Sequence, residues 1–277
     1  MVERLKAAIE KARERREALS PDAREGATTP ARRASEEPGP AWTTLPERTL
    51  DAAALRRRRI MNFERDPRYN PPFDLLRTRL LRICGERGWR RIGVTSPTKG
   101  CGKTMLTANL SFSLARQAPN HVLVLDVDLR APSLGRILGV RPDAPLTDVL
   151  SGAADYGSCV VKIADRLAVG LNESPVVDAA ERLQAPATAT ALSRMLTALN
   201  PRIVLYDLPP MLAGDETIGF LDKLDAVLMV AAAGETTAKQ IEECDRLLAD
   251  AAPLIGVVLN KCEEPDFEGY QYDYAGA

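Results

Sequence analysis

Arg91-Ile92-Gly93-Val94-Thr95-Ser96-Pro97-Thr98-Lys99-Gly100-Cys101-Gly102-Lys103-Thr104 runs from a short apolar strand pattern, through a glycine-containing turn, into a stretch with helical apolar spacing. That junction decides the fold class. Glycines at 100 and 102 let the backbone approach a phosphate group, and the unpaired amides at the start of the next helix, with its dipole, favour negative charge. Lys103 can then reach the β- and γ-phosphates of ATP or GTP, and Thr104 can put its hydroxyl on Mg²⁺. The strict P-loop pattern is G-x-x-x-x-G-K-[ST]; Pro97 stands at its first glycine, and the later requirements are all met. The plain alternative is an ordinary strand-to-helix turn.

Two further strand ends argue against the plain alternative. Val122-Leu123-Val124-Leu125 runs into Asp126-Val127-Asp128-Leu129-Arg130, and Ile203-Val204-Leu205-Tyr206 runs into Asp207-Leu208-Pro209-Pro210. In a parallel sheet, ligands bind at the carboxyl ends of strands, so Asp126, Asp128 and Asp207 can gather around one cation and the γ-phosphate. A lone strand-terminal Asp usually caps a helix or a turn, but three converging strand ends favour the site reading for Asp126 and Asp207. Asp128 has a competing structural use, an ion pair with Arg130.

Outward from this centre, apolar runs alternate with helical patterns. Strands are predicted at 91–96, 121–126, 166–171, 202–207, 225–230 and 254–259, and helices at 73–84, 103–117, 188–199 and 237–249. This alternation predicts an α/β fold, a P-loop NTPase with a mostly parallel sheet flanked by helices. The helix at 103–117 reads as amphipathic, and Leu75, Leu76 and Leu80 are expected to face their own domain. Residues 2–19 read as a narrow amphipathic helix, 21–59 as a disordered linker rich in Pro, Ala, Thr and Ser, 60–264 as the catalytic domain, and 265–277 as a flexible tail.

Composition narrows the function classes. The 277 residues carry a net charge of -1, which argues against a protein built to coat nucleic acid. Five cysteines without a C-x-x-C pair, and a single histidine, His121, disfavour a zinc site or a disulfide framework and suit a reducing cytoplasm. No stretch reaches the roughly 20 apolar residues of a membrane-spanning helix, so any membrane link is expected through a partner or the surface. Arg56-Arg57-Arg58-Arg59 is either a contact for anionic lipid or a solvated charge run. Cys101, beside a helix start and Lys103, is either a thiol primed for oxidation or a small residue at a variable position.

The phosphate loop from Thr95 to Thr104, the D-x-D-x-R segment and Asp207-Leu208-Pro209-Pro210 together resemble the Walker A, A′ and B motifs of the bacterial tyrosine kinases of capsule and exopolysaccharide synthesis. The resemblance spans roughly residues 60–262 and includes Leu76-Arg77-Thr78, Asn109-Leu110 and Gly256-Val257-Val258-Leu259-Asn260. It differs from the septum-site and partition ATPases, whose signature lysine would fall at Thr98; here Lys99 follows one residue later.

The resemblance implies ATP as substrate, bound by Thr98, Lys99, Gly100, Cys101, Gly102, Lys103, Thr104 and Met105, with Asn260 near the adenine. It implies Mg²⁺ on Thr104 and Asp207 with Asp126 beside them, and Lys103, Asp126 and Asp128 as catalytic residues. Asp126 would be the carboxylate nearest the acceptor hydroxyl. It further implies autophosphorylation of Tyr270, Tyr272 and Tyr274, and recruitment by a membrane polysaccharide co-polymerase, with 2–19 as a docking helix. Homo-oligomer rings are typical of the family, but its E-x-x-R-x-x-R motif, aligned on Arg77, meets Pro71 and Asp74 where Glu and Arg are needed. Two other readings remain: a P-loop ATPase switch that phosphorylates no protein, and a nucleotide-binding adaptor. No nucleic-acid partner is expected.

Overall fold

The computed structural model describes residues 37–249 and 251–262; the helix expected at 2–19, the first part of the linker and the three tail tyrosines lie outside them. The centre is a seven-stranded sheet built from β1 (Arg91–Thr95), β2 (Val122–Asp126), β3 (Val160–Ala164), β4 (Leu167–Gly170), β5 (Ile203–Asp207), β6 (Ala226–Ala232) and β7 (Leu254–Asn260). Its order is β3-β4-β2-β5-β1-β6-β7, and every pairing is parallel except the β3–β4 hairpin. Each β-strand sends successive side chains to opposite faces, so a sheet covered on both sides needs apolar residues at every position. In β2, Leu123 and Leu125 join one core, with Tyr206, Phe220 and Met195, while Val122 and Val124 join the other, with Ile92, Leu110 and Leu205.

Helix α1 (Ala52–Arg57) precedes the long α2 (Pro71–Arg87), and α3 (Lys103–Arg116) follows the phosphate loop. Between β2 and β3 lie the short helices α4 (Leu134–Leu138), α5 (Leu146–Leu150) and α6 (Tyr156–Cys159). Helices α7 (Ala179–Gln184), α8 (Pro186–Leu199) and α9 (Ala238–Leu248) complete the layers. α2 starts on the Pro71-Pro72 pair and stops at Gly88, whose φ of 71° suits a residue without a Cβ.

Several expectations are corrected. α3 is not amphipathic: nearly all its residues are buried, because α2 and the chain around residue 60 cover the face turned away from the sheet. Its buried polar residues are used for attachment. Asn109 accepts from the amides of Met61 and Asn62 through Oδ1 and donates to the Arg59 carbonyl, stapling that chain onto the helix. The described part of the linker is therefore packed structure. Trp42, Leu45 and Leu55 are buried, Trp42 stacks edge-on against His121, and Pro46 and Arg48 bond to Lys162 at the outer strand. The segment covers an edge that would otherwise be open to pairing. Strand β3, absent from the sequence reading, supplies that edge. Leu80 is buried as expected, but Leu75 is 51% exposed.

The basic run is also partly used. Arg56 pairs with Glu64 and lies over Phe63, and Arg58 reaches the carbonyl of Ile137, so the four arginines do not form one free patch. Arg77 is not a solvated charge. It donates to Asp74 and Ser113 within its own domain, and Arg116 shares the same Asp74 oxygen. Among the described residues no helix is long and apolar enough to cross a membrane.

Candidate active site

The carboxyl ends of β1, β2 and β5, adjacent in the sheet, bring the loop 96–102, Asp126 and Asp207 together; Asp126 and Asp207 are register partners. The loop is tied from several directions. Met211 and Leu212 donate amides to the carbonyls of Ser96 and Pro97, Ser96 Oγ donates to Thr98 O at 2.7 Å, and Thr95 Oγ1 donates to Pro209 O at 2.6 Å. Gly100 and Gly102 have φ of 84° and 88°, the left-handed conformation that L side chains adopt at a cost. A Cβ on Gly102 would also strike the Asn260 amide. Gly102→Ala is therefore expected to weaken nucleotide binding by about tenfold or more, as measured by titration calorimetry with ATP.

Asn260, at the end of β7, donates Nδ2 to the carbonyl of Cys101 at 2.8 Å. It is a brace for the phosphate loop. Cys101 is 1% exposed, with Sγ at 3.6 Å from Thr236 Oγ1, so its thiol faces the interior and the readily oxidised reading loses its access route.

Lys103 sits among carboxylates. Its Nζ is 2.8 Å from Asp128 Oδ2 and 3.4 Å from Asp207 Oδ1, and also 3.4 Å from Thr104 Oγ1. Burial alone would lower the pKa of this ammonium, but Asp207, Asp128 and Asp126 outweigh it and hold it above the ordinary lysine value. Asp128 is thus Lys103's partner; Arg130 pairs with Glu216 instead.

Asp126 has two functions at once. Its Oδ2 accepts from the amides of Ser133 at 3.0 Å and Leu134 at 2.9 Å, capping the start of α4, so the cap reading set aside in sequence holds for one oxygen. Its Oδ1, like Asp207 Oδ2, is buried without a hydrogen-bond partner. Burial first, then the neighbouring Asp207, raises the Asp126 carboxyl to about 8. Asp207 is likewise raised by burial, partly offset by Lys103 and the Thr104 hydroxyl. Two buried, unpartnered carboxylate oxygens on residues that are register partners, with the Thr104 hydroxyl bonded to Asp207, fit the oxygen donors a hard divalent cation takes.

Sequence reasoning missed four contributors. Ser133 donates Oγ to Thr104 Oγ1 at 3.1 Å, and Asn172 donates Nδ2 to the Asp126 carbonyl at 2.8 Å. Thr236 contacts Cys101, and Glu216 meets Arg130. Only Ser133, a cap-type residue just before Leu134-Gly135-Arg136-Ile137-Leu138, had a local signal.

Residues 92–275 match the family model of the CobQ/CobB/MinD/ParA nucleotide binding domain. The tyrosine-protein kinase CpsD of Streptococcus pneumoniae serotype 4 is 31% identical over 62% of this chain and 76% of its own length. The chain belongs to the bacterial tyrosine kinase family. A second family member, the putative tyrosine-protein kinase AmsA of Erwinia amylovora, is 30% identical over 65% of this chain, which spans only 24% of AmsA. The kinase domain of the Escherichia coli tyrosine kinase ETK shares the fold, with a TM-score of 0.62 and 24% identity over 72% of this chain and 78% of that one. The family's nucleotide-binding domain is thus the part held in common, and the loop, the paired aspartates and Asp207 all lie within it.

Proposed function

We propose that this chain is an ATP-dependent protein-tyrosine kinase whose acceptors include Tyr270, Tyr272 and Tyr274 of its own tail. The observation that carries the reading is Asp126: a buried carboxyl with one oxygen fixed by two amides and the other free, beside a phosphate loop. A raised pKa makes its ionised form a stronger base than an ordinary carboxylate, matched to a phenol of pKa about 10. In the transfer the tyrosyl oxygen bonds to the γ-phosphorus, the bond from that phosphorus to the β,γ-bridging oxygen breaks, ADP leaves, and the phenolic proton passes to Asp126.

Loop residues 98–105 would cradle the phosphates, and Lys103 would neutralise charge on the transferring group. Asp128 and Asp207 hold Lys103 in place. Thr104 and Asp207 would hold a magnesium ion, with Asp126 beside them, and the ion when bound supplies further charge neutralisation on the phosphates. The setting, capsule or exopolysaccharide synthesis beside a membrane co-polymerase that recruits residues 2–19, follows the family resemblance. The working domain includes Trp42 and Leu45, which belong to its core.

Replacing Tyr270, Tyr272 and Tyr274 together by Phe is expected to remove most phosphotyrosine from protein incubated with ATP and Mg²⁺, while ATP affinity is unchanged. Immunoblotting and calorimetry read the two quantities. Undiminished phosphotyrosine would reject the tail as acceptor.

A further inference from the structure

In the D-x-D-x-R segment the two aspartates serve the phosphate site, and the arginine has a different partner. Arg130 pairs through Nε with Glu216, on the loop that follows β5. The members of this pair differ sharply in environment: the Glu216 side chain is 3% exposed and that of Arg130 is 57% exposed. The Glu216 carboxylate lies so close to the backbone of Gly214 that a Cβ there would collide with it. A buried carboxylate stripped of its cation is strongly disfavoured, so Glu216 favours keeping the Arg130 guanidinium beside it.

Arg130 meets Glu216 as an ion pair, without a hydrogen bond to Glu216 Oε1, and its side chain, 57% exposed, presents the outer part of the guanidinium to solvent. That edge matches a carboxylate. Its position is defined by its neighbours in sequence. Asp128 holds Lys103, and Ser133 donates to Thr104, so Arg130 stands on the rim of the phosphate site. Leu129 accepts the amide of Val176, which puts the 98% exposed Val177 on the same rim.

We propose that Arg130, positioned by Glu216, selects acceptor tyrosines flanked by carboxylates, so that the substrate class is an acidic tyrosine peptide. This rests on the kinase reading above. The chain's own tail has the required chemistry: residues 263–277 contain five Asp and Glu and no Lys or Arg, with Glu268 two positions before Tyr270 and Asp273 between Tyr272 and Tyr274. Arg130 would bind the substrate directly, and Glu216 is a positioning residue.

The test uses the full chain and a fluorescent synthetic peptide of residues 263–277. Arg130→Glu is expected to raise the peptide KM about tenfold or more, as for loss of a charge-assisted bidentate pair, with a much smaller change in kcat and in the KM for ATP. A peptide carrying Glu268→Lys and Asp273→Lys is expected to restore the low KM with the variant and to be poor with the wild type. Gly214→Ala, which displaces the Glu216 carboxylate, is expected to raise the peptide KM in the same direction as Glu216→Gln. An unchanged KM in Arg130→Glu, or no rescue by the lysine peptide, overturns the proposal. If the wild type phosphorylates no peptide, the kinase reading fails separately, and anisotropy of the same labelled peptide decides: binding lost in Arg130→Glu and regained with the lysine peptide supports the rim's selectivity, and equal binding overturns it.

Discussion

Asp126→Asn is expected to make the nucleotide-free protein more stable above pH 7 while lowering tyrosine phosphorylation by about 10²-fold or more. The two effects have one origin. Burial and the neighbouring Asp207 raise the Asp126 carboxyl from 3.8 to about 8. Below pH 4 both folded and unfolded chains hold the proton. Between about 4 and 8 the folded chain keeps a proton that the unfolded chain has released, so stability falls as pH rises, by about 1.4 kcal/mol per pH unit for one site, and levels off above the folded value. Asparagine retains an oxygen for the Ser133 and Leu134 amides, so the start of α4 stays capped, but it carries no charge to bury. Urea denaturation at several pH values reads this directly. A variant whose stability falls as steeply as the wild type's between pH 5 and 8 would show that Asp126 is not the titrating group.

Lys103→Met is expected to have the opposite effect on stability and a similar effect on activity. Asp128 and Asp207, nearly or wholly buried, depend on this one ammonium, and removing a single member of such a group costs about 3–5 kcal/mol when the carboxylates are ionised. The deficit relative to wild type should shrink as pH falls toward 5, because Asp207 and Asp126, whose carboxyls burial raises, need no counter-charge once protonated. Transfer should drop by about 10²–10³-fold with loss of the cation facing the phosphates. Denaturation midpoints at pH 5.5 and 8 separate a charge effect from simple loss of packing, which would give the same deficit at both.

The two variants also bear on what the sequence could reveal. Strand-end aspartates are legible because a parallel sheet delivers every carboxyl end to one side, so Asp126, Asp128 and Asp207 could be placed together before any coordinates. Their partners could not. Asp128 chose Lys103 over Arg130 because the loop between β2 and α4 carries Arg130 outward to Glu216, a residue nine positions past Asp207 with no local pattern around it. The N-terminal boundary was misplaced for a different reason. The composition of 21–59 is that of a tether, but Trp42, Leu45 and Leu55 are each buried by long-range contacts, and window composition does not register three well-spaced anchors. Strand β3 escaped notice because Val160-Val161-Lys162-Ile163 is short, and only its antiparallel pairing with β4 makes it a strand. The helix after the phosphate loop looked amphipathic because Thr107, Asn109, Ser111 and Ser113 are polar; they are buried, with Asn109 fastening the chain that crosses over it.

The central claim concerns where the γ-phosphoryl group goes, and one reaction tests it. Purified protein of residues 1–277 is incubated with ATP labelled on the γ-phosphate and with Mg²⁺, and the label is partitioned between protein phosphotyrosine and free phosphate over a single time course. The account predicts label on tyrosine within the tail, abolished in Asp126→Asn and Lys103→Met. Steady release of free phosphate with no phosphotyrosine would contradict it and identify the chain as a hydrolytic switch.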